Sequence, residues 1–181
     1  MLATDFDEVQ EVQLIGGNLV TALNTGLRPS GDASTRSAIA WFVIHPRVSG
    51  TEVDPSTAIT RQGYLAQRGT YLMYPHINRT TDGAMALVFG LTAAHTFPSA
   101  AYAVAPPGHG FGGVQIAARG TQAYHGFGGT ADNGGVARWG DYSNGQVIAG
   151  TRKVWLATQY VPGPGNGNEN WGNRIFELLL P

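Results

Sequence analysis

Arg138-Trp139-Gly140-Asp141-Tyr142 gathers a guanidinium, an indole, a carboxylate and a phenol into five consecutive positions. An arginine and an aspartate three residues apart can grip a polar ligand through charge-assisted hydrogen bonds, and they can equally hold each other and the backbone of a connecting loop. Arg138, Trp139, Asp141 and Tyr142 are therefore the candidate ligand-binding residues, with a structural junction as the competing reading. What separates the two is where the segment falls among the elements that carry it.

Other constellations carry less. His-Gly-Phe-Gly-Gly occurs at 109–113 and again at 125–129. A phosphate cradle needs a following Lys-Ser/Thr and a helix N-terminus to focus backbone N–H groups on the anion, and neither follows here. Zinc needs three or four convergent ligands, whereas His45, His76 and His95 fall at unrelated places in the repeat, so no metal and no cofactor is expected. A glycosidase needs two carboxylates across a cleft. The acids of this chain fall mostly in segments between strands, where solvation is the default, and Ser99 lacks the Gly-x-Ser-x-Gly frame of a nucleophile elbow. No catalytic residue is assigned and the reading leans away from an enzyme. Trp41, Trp139, Trp155 and Trp171 could stack on sugar rings, although packing between sheets is the commoner duty of such aromatics.

Composition limits what must position these residues. The 181-residue chain is 13% charged, with 26 Gly and 10 Pro, the profile of a turn-rich β protein. Its formal net charge is −1 and neither sign forms a run, so nothing in the electrostatics points to nucleic acid. Cysteine is absent, which removes disulfides and thiolate metal sites. The first twelve residues lack the basic and apolar regions of a signal peptide, and no run approaches the roughly 20 apolar residues of a membrane helix.

Short β-rich runs at 9–15, 19–24, 38–45, 58–65, 72–78, 84–91, 100–105, 114–119, 142–148, 154–161 and 174–180 predict about eleven strands and no helix. Gly, Pro, Asn and Asp punctuate them, most heavily at 162–168, the best candidate for a mobile loop. A glycine precedes a strand at Gly17, Gly83 and Gly150, positions 66 and 67 apart. Ala40-Trp41-Phe42-Val43 and Ala100-Ala101-Tyr102-Ala103 repeat the third strand at a spacing of 60, and 59–63 and 116–120 repeat the fourth at 57. A period of about 65 residues with four strands is the size of a generous propeller blade. Counting back one period from Gly140-Asp141-Tyr142 lands on Tyr74-Pro75-His76, expected to begin the second unit's first strand, so the Arg138–Asp141 segment is placed where one blade passes to the next.

The runs YLMYPHI, FPSAAYAV, RWGDYS and WLATQYVPG followed by NWGNRI resemble the late part of bacterial secreted or surface β-propeller-like proteins, related in form to the sialidase and Asp-box propellers. The resemblance spans about 5–176, with RWGDYS its most specific segment. It implies a propeller fold and a secreted or cell-surface setting, and carries no established reaction. The Ser-x-Asp-x-Gly-x-Thr-Trp pattern of true sialidases is broken here: Gly150-Thr151-Arg152-Lys153-Val154-Trp155 keeps a Gly and a Trp without the Asp.

The expectation is an all-β, partial β-propeller of about two and two-thirds four-stranded antiparallel blades, at 5–70, 71–136 and 137–181, the last incomplete. Since propellers close with about 4 to 8 blades, the partners expected are an upstream part of the same precursor or further copies of the chain, with glycans or a surface protein as ligand. The function expected is a noncatalytic module of an exported protein, serving as a scaffold or in adhesion and glycan binding. The alternative is a fragment of a sialidase-like glycoside hydrolase whose catalytic residues lie partly upstream.

Overall fold

The computed structural model describes Leu2, 8–125, 137–165 and 170–181. Within them there is no helix, and hence none long and apolar enough to cross a membrane. Among these residues thirteen strands form three antiparallel meanders and one small hairpin. Sheet I runs β1 (Val12–Ile15), β2 (Asn18–Leu27), β3 (Arg36–His45), β6 (Ala58–Leu65); sheet II runs β7 (Thr70–Arg79), β8 (Met85–Ala93), β9 (Thr96–Ala105), β10 (Gln115–Ala118); sheet III runs β11 (Asn144–Val147), β12 (Lys153–Tyr160), β13 (Gly172–Leu179). None closes on itself. The two strands beyond the expected eleven are β4 (Val48–Ser49) and β5 (Glu52–Val53), a two-residue pairing inside the connection from β3 to β6.

Sheet II is the middle layer, and β8 shows why its sequence reads MALVFGL without polar interruption. Side chains alternate across a strand, so Met85, Leu87, Phe89 and Leu91 enter one core with Val20, Ala22, Ile39, Trp41 and Val43 of sheet I. Ala86 and Val88 enter a second core with Val154, Leu156 and Leu180. A strand covered on both faces needs apolar residues at every position, as this one has. Trp41 lies flat across its cross-strand neighbour Gly63, where an added Cβ would meet the indole at 2.8 Å. Phe111, from the first His-Gly-Phe-Gly-Gly segment, meets that indole edge-on at 5.5 Å, which gives the motif a packing role. The second copy, apart from His125, lies outside the described residues.

Gly17, Gly83 and Gly150 each occupy the hairpin between the first and second strands of their sheet, all at positive φ (74°, 98° and 73°). The turns themselves differ. Gly16-Gly17 is a two-residue loop with both residues left-handed, the geometry that matches strand twist in a tight hairpin. The other two are longer, closed by Gly83 N–H to the Thr80 carbonyl (3.0 Å) and Thr151 N–H to the Ile148 carbonyl (3.0 Å).

Tyr74-Pro75-His76 does not begin its strand. It forms the register shift between Met73 and His76 in the middle of β7, with Tyr74 at φ 52°, because β7 starts four residues earlier at Thr70. Tyr142, likewise expected in a strand, precedes β11, which begins at Asn144.

Candidate functional site

The 138–143 segment is the approach to β11, the passage from sheet II to sheet III. Its burial follows the work each residue does. Trp139 is 2% exposed and joins Met73, Tyr74 and Val161 in a third core. Gly140, at φ 62°, lets the chain pass the Tyr74 ring, which a Cβ there would meet at 3.0 Å. Ser143 is buried and shares a hydrogen bond of 2.8 Å with Thr158 of β12. Arg138 and Asp141 face outward as an ion pair at 3.1 Å, and Tyr142 is 71% exposed. Gln10 donates to the Asp141 backbone carbonyl. One half of the motif is thus anchored in the core while the other half is offered to solvent.

Residues 138–141 of the segment line a cleft of about 170 Å³ bounded by Arg138, Trp139, Gly140, Asp141, Tyr124, Gln159 and Trp171. Tyr124 packs edge-on against Trp139 with ring centroids 4.9 Å apart, and Trp171 is 40% exposed. Asn170 fixes this corner by accepting from the His125 N–H (3.0 Å) and donating to the Ala123 carbonyl (2.8 Å). Of the four residues the sequence nominated, Arg138, Trp139 and Asp141 meet in the cleft and Tyr142 stands outside it. Tyr124 and Gln159 were not nominated, and Trp171 entered only as one of four tryptophans able to stack on a sugar: all three lie 14 or more positions away in sequence and are brought in by the stacking of sheets II and III.

Tyr124 is also a wall of a wider groove of about 970 Å³ at the same end of the stack, between the ends of β2 and β8 and the starts of β3, β7 and β9. Its lining mixes hydroxyls (Thr25, Thr35, Ser37, Thr92, Thr96) with the rings of Tyr71 and Phe97. Arg36 belongs to this wall. It reaches the Tyr71 hydroxyl at 2.7 Å and the Asp32 carboxylate at 2.9 Å. The Arg36 guanidinium, with the Gly69 and Ser34 N–H groups, holds the Asp32 carboxyl far below the usual carboxylate range.

A second polar cluster lies where the first strands of the three sheets converge. His76 of β7, 4% exposed, bonds through Nδ1 to Glu11 Oε2 (3.0 Å), and its Nε2 meets Gln13 Nε2 at 3.1 Å. With the Gln13 amide donating to Nε2, the ring is neutral and carries its proton on Nδ1. Burial pushes the His76 pKa down, against the Glu11 charge that pulls it up. Asn78, two residues on, is buried with its Nδ2 unpartnered, close to Gly145 of β11, where a Cβ would strike that atom. In the sequence His76 reads as one isolated histidine, because its partners lie 63 or more positions away.

Comparison with known proteins gives no match: no family model, no curated protein and no solved structure aligns with this chain.

Proposed function

We propose that the chain is a noncatalytic, propeller-class module of an exported bacterial protein, working in adhesion or scaffolding by binding glycans. The observation that carries this reading is the cleft of Tyr124, Trp139 and Trp171 beside Arg138, Asp141 and Gln159. Sugar rings present apolar faces and equatorial hydroxyls, so they are held by aromatic surfaces together with a few oriented polar groups. The cleft has room for one ring-sized unit, and the hydroxyl-lined groove across Tyr124 gives further units a path. The propeller class is supported by three stacked four- or three-stranded meanders with a positive-φ glycine in each first hairpin, and by the resemblance of RWGDYS and its companion segments to surface propellers.

The noncatalytic reading is supported by the state of the carboxylates that the fold perturbs. Asp32, Asp54 and Asp82 are each pulled below the ordinary range by hydrogen bonds, the direction opposite to that of a protonated general acid. Screening the chain on a glycan array, then titrating the best oligosaccharide by calorimetry, tests the proposal. Arg138→Ala and Trp171→Ala are each expected to weaken binding by about tenfold or more at an unchanged thermal midpoint. Binding that ignores both substitutions overturns the site. Release of fluorophore from an aryl sialoside would instead favour the sialidase-like hydrolase fragment.

A further inference from the structure

Register places each sheet in the same orientation within the stack. Carrying the glycine spacing along the second strands equates Val20 and Ala22 of β2 with Ala86 and Val88 of β8 and with Lys153 and Trp155 of β12. In sheets I and II these positions face the next sheet: Val20 and Ala22 enter the core shared with sheet II, and Ala86 and Val88 the core shared with sheet III. The intervening positions face the preceding sheet, as Leu87 and Phe89 do in sheet II and Val154 and Leu156 in sheet III. Pairing extends the correspondence across the third strands. Val20↔Val43, Ala86↔Val104 and Lys153↔Leu179 are equivalent pairs on the forward face. Thr21↔Phe42, Leu87↔Ala103 and Val154↔Leu178 are equivalent on the rear face.

Both internal interfaces therefore join a forward face to a rear face, and one face of each kind is left over among the described residues. The rear face of sheet I carries Leu19, Leu23, Phe42 and Ile44 with Val12 (50% exposed), Leu14 (68%) and Tyr64 (67%). Val12 pairs with Thr21 as Ile77 pairs with Leu87 and Val147 with Val154, and both of those equivalents are packed inside an interface. The forward face of sheet III carries Trp155 (47%) and Leu179 (75%), whose counterparts Val88 and Val104 lie in the sheet II–sheet III core, together with Ile175 (63%).

We infer that a second copy of this chain covers these faces, its sheet III docking forward face to rear face on sheet I of the first copy, and the reverse, so that two copies close one ring of six sheets. The occupant follows from the continuity of the interface: the rear face of sheet I, open at Val12, Leu14 and Tyr64, has the positions and apolar character of the two rear faces already buried, and the chain itself carries the matching forward face. A forward-to-rear contact is heterologous, so it must close a ring or propagate, and six sheets fall within the range of about 4 to 8 in which stacked meanders close. The Lys153–Glu177 pair on the forward face, at 3.2 Å, enters the contact already neutralised.

Sedimentation equilibrium of the full chain is expected to give a dimer of 19.1 kDa subunits. Val12→Lys and Leu179→Glu change exposed side chains, so each variant is expected to keep the parent's circular dichroism and a cooperative thermal transition while its self-association weakens by about tenfold or more. Mixing the two variants is expected to restore the dimer, because one of the two contacts in the mixed ring is untouched and the other sets lysine against glutamate. A monomeric parent, an open polymer, or single variants that dimerise as tightly as the parent would each overturn the inference.

Discussion

The two ends of the stack are built on different terms. At one end the first hairpins of sheets II and III are tied by Asp82 and Arg152 in an exposed ion pair, and Arg79 reaches the Ile15 carbonyl beside the Gly16-Gly17 turn of sheet I. The glycines here recur because the same left-handed turn position recurs in each sheet. At the opposite end no such regularity holds: an aromatic corner built on Trp139 and Tyr124, a cleft and a wide groove occupy the ends of β2 and β8 and the start of β7. Repetition at one end fixes the mutual orientation of the sheets, and that leaves the other end free to carry residues that occur only once.

Four measurements can break or sharpen this contrast. The largest effect is expected at the irregular end, where Trp139→Ala should cost about 3–5 kcal/mol, as deletion of a buried aromatic does, in urea unfolding. A loss under about 1 kcal/mol would mean the aromatic corner is not a core. Next comes the junction of the first strands. Gly145→Ala should cost about 1–3 kcal/mol by overpacking, since the new methyl meets Asn78, Leu156 and the Trp155 carbonyl, and an unchanged denaturation midpoint would show that β7 and β11 are loosely joined.

The third concerns pH. Because the folded state holds His76 below its ordinary pKa, the unfolded chain binds the proton more readily. Stability from this group is full above about pH 6.5 and falls as pH drops below that value. Thermal midpoints at pH 7.5 and 5.5 should therefore differ in the parent, by less in His76→Gln, and by more in Glu11→Gln, which removes the charge that favours imidazolium. A parent midpoint that rises at pH 5.5 would reverse the assignment. The smallest effect is expected at the repeated end: Arg152→Ala breaks an exposed pair with Asp82 and should move the thermal midpoint by less than about 4 °C. A larger drop would make that end, not the Trp139 corner, the clasp of the stack.

By itself the sequence determined what is local or periodic. All eleven expected strands exist, because alternation, β-branched content and Gly/Pro punctuation act within a few residues. The glycine spacing located the first hairpin of every sheet, since a left-handed turn accepts glycine without a Cβ clash. RWGDYS was legible as a passage between sheets and as a cluster of ligand-type side chains. Tertiary structure alone decided the rest. It buried Trp139 and exposed Tyr142, two aromatics three positions apart that sequence cannot tell from one another. It also moved Tyr74 into a bulge in the middle of β7, and it brought Tyr124, Gln159 and Trp171 to Arg138, and Glu11 and Gln13 to His76. The physical reason is that strand formation answers to neighbours along the chain, whereas a cleft answers to how separate sheets stack, and that is set by the packing of side chains 14 to 131 positions apart in sequence.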